Sequence, residues 1–136
     1  MLAVSLLIVA VGIFCFTRFA ERTSIYHPNK LLTVDPGQAG LVFKNVYFPT
    51  TDGVKLHGWF IKCGKPSAAA VIYMHGNAGN IGDRIEKVSF LLKMGVDVFL
   101  FDYRGYGLSE GTPTEKGLNL DAQAAYDYVV SRMVIP

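Results

Sequence analysis

The sequence predicts an α/β protein with a largely parallel sheet crossed by helices, preceded by a β-hairpin and by one apolar helix able to span a bilayer. Three observations carry that expectation. Residues 68–74 and 96–103 are almost continuously apolar, as strands covered on both faces are. The segments that follow them place apolar residues at helical spacing. Residues 1–17 hold no charged side chain.

The N-terminal stretch comes first. Seventeen residues at 1.5 Å rise make about 25 Å of helix, short of a hydrocarbon core near 30 Å. Phe19 and Ala20 make up the difference if Arg18 snorkels to the interface. A cleaved signal peptide would carry Lys or Arg ahead of its apolar run and small residues at its end. Only Ala20 suits that alternative, so residues 1–20 are read as a retained single-pass anchor whose partner is the lipid bilayer. Arg18 and Arg22 lean toward a cytoplasmic domain, on too few charges to fix the side.

Residues 21–39 read as a linker, punctuated by Pro28, Pro36 and Gly37, and residues 40–136 as one domain. Within it, residues 41–48 and 54–61 alternate apolar and polar positions around a Thr51-Asp52-Gly53 turn, which is a hairpin signal. Residues 68–74 make a buried strand. Residues 81–94 put Ile81, Ile85, Val88 and Leu92 on one stripe, with Gly95 to stop the helix. Residues 96–103 make a second buried strand, followed by a glycine-rich loop. Thr112, Pro113 and Glu115 then announce a last helix with a stripe of Leu118, Ala122, Ala125, Val129 and Met133. Two parallel strands and a hairpin leave a sheet edge open, and Val134-Ile135-Pro136 resembles the approach to another strand; the fold is expected to be partial.

Composition narrows the function. With 136 residues, 51% apolar and 18% charged, the chain has room for one ordinary domain and is not a polyelectrolyte. A net charge of +2 with scattered basic residues argues against nucleic acid as a partner. Cys15 and Cys63 lie in different settings, and neither a disulfide, a metal site nor a cofactor is expected.

Two runs carry chemistry. In the first, a buried strand ends in His75-Gly76-Asn77-Ala78-Gly79-Asn80 and the chain is expected to turn sharply into a helix. Free amides at a helix start favour an anion, and Gly76 and Gly79 ease the path. A tight strand-to-helix turn needs glycines for conformational reasons too, and alone the run decides little. The second run is Asp102-Tyr103-Arg104-Gly105-Tyr106-Gly107-Leu108-Ser109-Glu110-Gly111. Its end satisfies G-x-S-x-G, the nucleophile-elbow pattern, but no strand directly precedes Ser109 and no helix directly follows Gly111. Ser109 is therefore read as a loop residue.

Together the runs resemble the α/β-hydrolase superfamily. Residues 75–80 look like the oxyanion loop after the third strand of that fold, and residues 102–111 like the loop after the fourth. Tyr26-His27-Pro28 and Pro113-Thr114-Glu115 with Gly117, Leu118 and Asp121 are similar to membrane-anchored members, including depalmitoylase-like serine hydrolases and their bacterial relatives. The resemblance implies the N-terminal part of a membrane-anchored serine hydrolase acting on ester, thioester or amide bonds of an acyl substrate. Asn77 and Ala78 would supply the oxyanion hole. His75, Gly76, Gly79, Asp102, Gly105 and Gly107 would support it, Asp102 by bonding the loop that follows. The nucleophile, acid and base would come after Pro136, so these residues alone are expected to be inactive. His27 and His57 are read as packing or surface residues. The competing reading is a non-catalytic, membrane-tethered remnant or interaction module. Nucleotide binding is disfavoured, since no P-loop or dinucleotide fingerprint is present.

Overall fold

The computed structural model describes residues 1–67 and 69–132, without the side chains of Arg22 and Thr23. Alternation along the central strand organises the core. In β6 (Asp97–Asp102) every residue is buried, with Phe99 and Phe101 facing one side of the sheet and Val98 and Leu100 the other. That strand meets helices on both faces, which is why its sequence is apolar throughout.

Four strands form the main sheet: β2 (Phe43–Pro49), β3 (Lys55–Ile61), β4 (Ala70–Met74) and β6, in the order β2-β3-β6-β4. The hairpin pairs are antiparallel, β3 is antiparallel to β6, and β4 runs parallel to β6. The predicted hairpin and both parallel strands are therefore present, with ends shifted by one or two residues, but only β6 is buried on both faces as expected. Gly58 sits opposite Phe101, and a Cβ there would meet the Leu100 carbonyl at 2.8 Å, so only glycine allows that strand approach. Among the described residues β4 pairs within this sheet only with β6, and its side chains stay half-buried or exposed.

Helix α2 (Ile85–Lys93) covers one face, burying Ile85, Val88 and Leu92 with Trp59, Ile61, Val98 and Leu100. Helix α3 (Glu115–Arg132) covers the other, setting Ala124, Ala125 and Val129 against Phe48, Leu56, Phe99 and Phe101. Each large apolar side chain buried this way contributes about 1.5–3 kcal/mol.

Three local expectations are corrected. The stretch 81–94 is not one helix: a 3₁₀ turn, Ile81–Arg84, precedes α2, because Asn80 caps that turn by accepting from the Gly82 amide. The N-cap of α3 is Thr114, whose hydroxyl accepts from Gly117, and Thr112 lies outside the helix. Pro113 instead closes the glycine loop, in contact range of Gly105. The buried stripe of α3 is shifted to Gly117, Asp121, Ala124, Ala125 and Val129, because Asp121 must face inward to meet Arg104; Leu118 and Ala122 are only half-buried. Met133 and the run 134–136 lie outside the described residues.

The N-terminal helix α1 (Leu2–Ala20) has 19 residues, none of them buried, and a mean hydropathy of 2.3 in its most apolar window. The stretch after it bonds to the domain at Glu21, Ile25, His27, Asn29, Lys30 and Leu31. A wound turn, Glu21–Ile25, leads into β1 (His27–Pro28), which pairs in parallel with β5 (Ala78–Gly79). A short 3₁₀ helix, Pro36–Ala39, then follows with Asp35 as its cap.

Candidate active site

The loop after β4 and the loop after β6 meet at the carboxyl ends of two neighbouring parallel strands. Such crevices are where open α/β sheets bind ligands. In the first loop, the chain leaves Met74 through His75 and Gly76, pairs with β1 at Ala78–Gly79, and only then winds into Ile81–Arg84. The expected sharp turn into a helix is absent, and the amides at the helix entry are already committed. Ile81 donates to Asp102 Oδ1 at 3.0 Å and Gly82 to Asn80 Oδ1 at 2.9 Å. The protein's own carboxylate occupies the helix entry.

Asp102 is fully buried, and its carboxylate serves the preceding loop. Besides Ile81, its Oδ1 lies 3.3 Å from His75 Nε2. The expected bond to the following loop comes from its backbone, the Asp102 carbonyl accepting from Ser109 Oγ, and that loop also packs against the carboxylate: a Cβ on Gly107 would collide with Asp102 Oδ2. Gly107, at φ +44°, must be glycine for both reasons. His75 directs Nδ1 at the Gly76 carbonyl, 2.7 Å away, and donates to it. The edges of Tyr103 and Tyr106 close over its ring at 5.2 and 5.1 Å.

Asn77 and Ala78 are exposed, as an oxyanion donor pair needs to be. The Asn77 carbonyl accepts from the Tyr106 hydroxyl at 2.8 Å and from the His27 amide at 2.9 Å. Its side chain donates to the Ile25 carbonyl at 2.7 Å. The Gly79 carbonyl accepts from Asn29, and the Ala78 carbonyl from Arg84. Asn80, 1% exposed, adds bonds from its amide nitrogen to the Asn29 and Leu31 carbonyls. Burial holds the phenols of Tyr103 and Tyr106 above their ordinary value, so both stay neutral donors.

Ser109 is 1% exposed. Its hydroxyl donates to the Asp102 carbonyl at 2.6 Å and accepts from the His57 amide at 2.9 Å. A nucleophile needs a free oxygen and a base in reach; this one ties the β6 loop to β3. His57 is buried as well. Asn45 Oδ1 accepts from Trp59 Nε1 and lies 3.0 Å from His57 Nε2, so that nitrogen carries the proton. Desolvation lowers the His57 pKa.

Gly105, at φ +84°, donates to the Glu110 carbonyl and shapes the second loop. Beside it Arg104 grips Asp52 with two bonds of 2.8 and 2.9 Å and Asp121 with a 2.8 Å bond from Nε. The bond to Arg104 holds the Asp52 carboxyl well below the usual carboxylate range. Burial pushes Asp121 up against the opposing pull of the guanidinium. Gly117 leaves room for Arg104 to pass, since a Cβ there would meet its side chain at 2.6 Å.

Sequence reasoning did not find the roles of Ile25, Asn29, Asn80 or Tyr106. Tyr26-His27-Pro28 was the one signal that the segment is more than a linker.

The chain is 36% identical over 135 residues to the α/β-hydrolase domain-containing protein WAV2 of Arabidopsis thaliana, covering 92% of this chain and 42% of that one. An esterase of Pyrococcus furiosus superposes with a TM-score of 0.69 at 30% identity, over 80% of this chain and 42% of the esterase. The chain belongs to the α/β-hydrolase superfamily. Relatives extend to an uncharacterized protein YfhR of Salmonella typhi, 42% identical over 93% of this chain and 44% of its own length. They include an uncharacterized membrane protein of Saccharomyces cerevisiae, 36% identical over 90% of this chain and 45% of its own length. The chain thus spans less than half the length of the curated relatives it matches. No protein-family model matches it.

Proposed function

We propose that these residues form the oxyanion side of a membrane-anchored serine hydrolase that cleaves ester, thioester or amide bonds, with nucleophile, acid and base outside residues 1–136. The observation that carries this is the braced run at residues 77–79. In a trans peptide the carbonyl and the following amide point in opposite directions. The Asn77 carbonyl accepts from the His27 amide on β1, so the Ala78 amide faces away from β1. A serine oxygen would attack the acyl carbonyl while a histidine takes its proton and passes it to the leaving oxygen, sulfur or nitrogen. Water, deprotonated by the same histidine, then releases the acyl group. The Ala78 amide, with that of Asn77, would hold the transient oxyanion. The esterase likeness supports the reaction class, and α1 together with the yeast membrane relative supports the anchor.

The test is steady-state hydrolysis of a short-chain p-nitrophenyl ester by the intact protein. Ala78→Pro, which removes the amide, is expected to lower kcat by about 10²–10³. Ala78→Ser, which keeps it, is expected to stay near the parent. Equal loss in both variants would remove Ala78 from the oxyanion hole.

A further inference from the structure

The bonds that brace the candidate oxyanion loop come from the segment leaving the apolar helix. The Ile25 carbonyl takes the Asn77 side chain, and the His27 and Asn29 amides take the Asn77 and Gly79 carbonyls. The Asn29 carbonyl accepts from Gly107, and Lys30 Nζ donates to the Ser109 carbonyl at 2.7 Å. Closer to α1, Glu21 Oε1 accepts from the Glu115 amide at 3.0 Å, at the start of α3. Tyr26 is buried between these contacts. The anchor is therefore fastened to both site loops and to α3, and not held on a tether.

That fastening sets a height. Ile25 follows Ala20 by five wound residues, about 8 Å at most along the axis. The headgroup layer on each side of a bilayer is about 5–8 Å thick. The loop at Asn77 is thus within reach of the outer headgroup region. Ile25 is 49%, Leu31 67% and Leu108 50% exposed, so this end of the domain also presents apolar side chains.

We propose that residues 25–29 are a positioning strap that holds the candidate oxyanion loop at headgroup height, so that the site takes an acyl carbonyl presented by the bilayer in which the protein is anchored. The acyl chemistry and the anchor rest on the function proposed above; the strap contacts do not. A glycerolipid ester and a thioester on a lipidated peptide share the required chemistry, a carbonyl at the polar boundary with its chain still in the hydrocarbon.

The test uses the intact protein in phosphatidylcholine vesicles, with Cys15→Ala and Cys63→Ser and a fluorophore on Ala78→Cys. The comparison carries the fluorophore on Lys65→Cys, in the loop at the opposite end of the sheet. Headgroup-attached quenchers are expected to quench the Ala78 label several-fold more than the Lys65 label. A ten-residue Gly/Ser spacer between Ala20 and Glu21, with a reach of about 17 Å, is expected to abolish that difference. The spacer protein should also lose at least about tenfold in the ratio of bilayer-substrate to soluble-ester turnover. A fluorogenic glycerolipid ester and an S-palmitoyl peptide, run as separate arms, tell the sources apart. Equal quenching at the two labels, or an unchanged turnover ratio in both arms, would overturn the proposal. Absence of soluble-ester turnover in the spacer-free protein would instead sink the hydrolase reading, and the quenching comparison would still report the height.

Discussion

Arg104 shows how one side chain couples the site's scaffold. Its guanidinium lies between Asp52 in the hairpin turn and Asp121 on α3, and its own amide donates to Asp121 Oδ2. Removing it leaves the Asp121 carboxylate buried and uncompensated. Arg104→Ala is expected to lower stability by about 3–5 kcal/mol, read as a shifted urea midpoint. Arg104→Lys should recover only part of that, because an ammonium lacks the planar fork that meets two carboxylates. His57 makes the pH prediction. Its folded-state pKa lies below the ordinary value of 6.5, chiefly through desolvation. As pH falls below 6.5 the unfolded chain takes up a proton that the folded chain refuses. Stability is therefore full above that value and declines on acidification toward the folded-state pKa. The urea midpoint should fall between pH 7 and 5.5, and His57→Gln should flatten that fall. An equal slope in both proteins would assign the effect to another group.

At the scale of elements, the loop after β4 is held from three directions: Asp102 at its end, Tyr106 over its middle and the β1 strap along its edge. Tyr106→Phe deletes one bond to the Asn77 carbonyl and leaves the ring contacts with His75. It is expected to cost about 1 kcal/mol in stability. If the hydroxyl positions the loop, kcat on a soluble ester should also fall while KM stays. A fall in stability with unchanged kcat would make Tyr106 a packing residue only. The sheet was legible because strand burial writes itself into apolar runs: the alternation of residues 98–101 between the two cores needs four apolar residues in succession. Helix stripes were legible to within one position. The start of α3 was misread because Thr112 and Thr114 both suit a cap, and only Pro113's packing on Gly105 separates them. The strap was not legible, since its bonds, the Lys30 ammonium apart, use backbone groups of residues 25–31 that any sequence carries. The sequence also could not show that Asp102, not an exogenous anion, fills the entry to Ile81.

For the whole molecule, the four strands in the order β2-β3-β6-β4 and the helices on opposite faces bring the two loops to one end of the sheet, where the proposed function puts the oxyanion side of the site. Relatives of about twice the matched length leave room for the other half. Ser109, though it satisfies the elbow pattern, is consumed by the fold. Serine-directed fluorophosphonate labelling of the intact protein, followed by peptide mapping, tests this division of labour most directly. The expected result is a labelled serine outside residues 1–136 and none at Ser109. Label on Ser109, or a folded intact protein with no labelled serine, would contradict it.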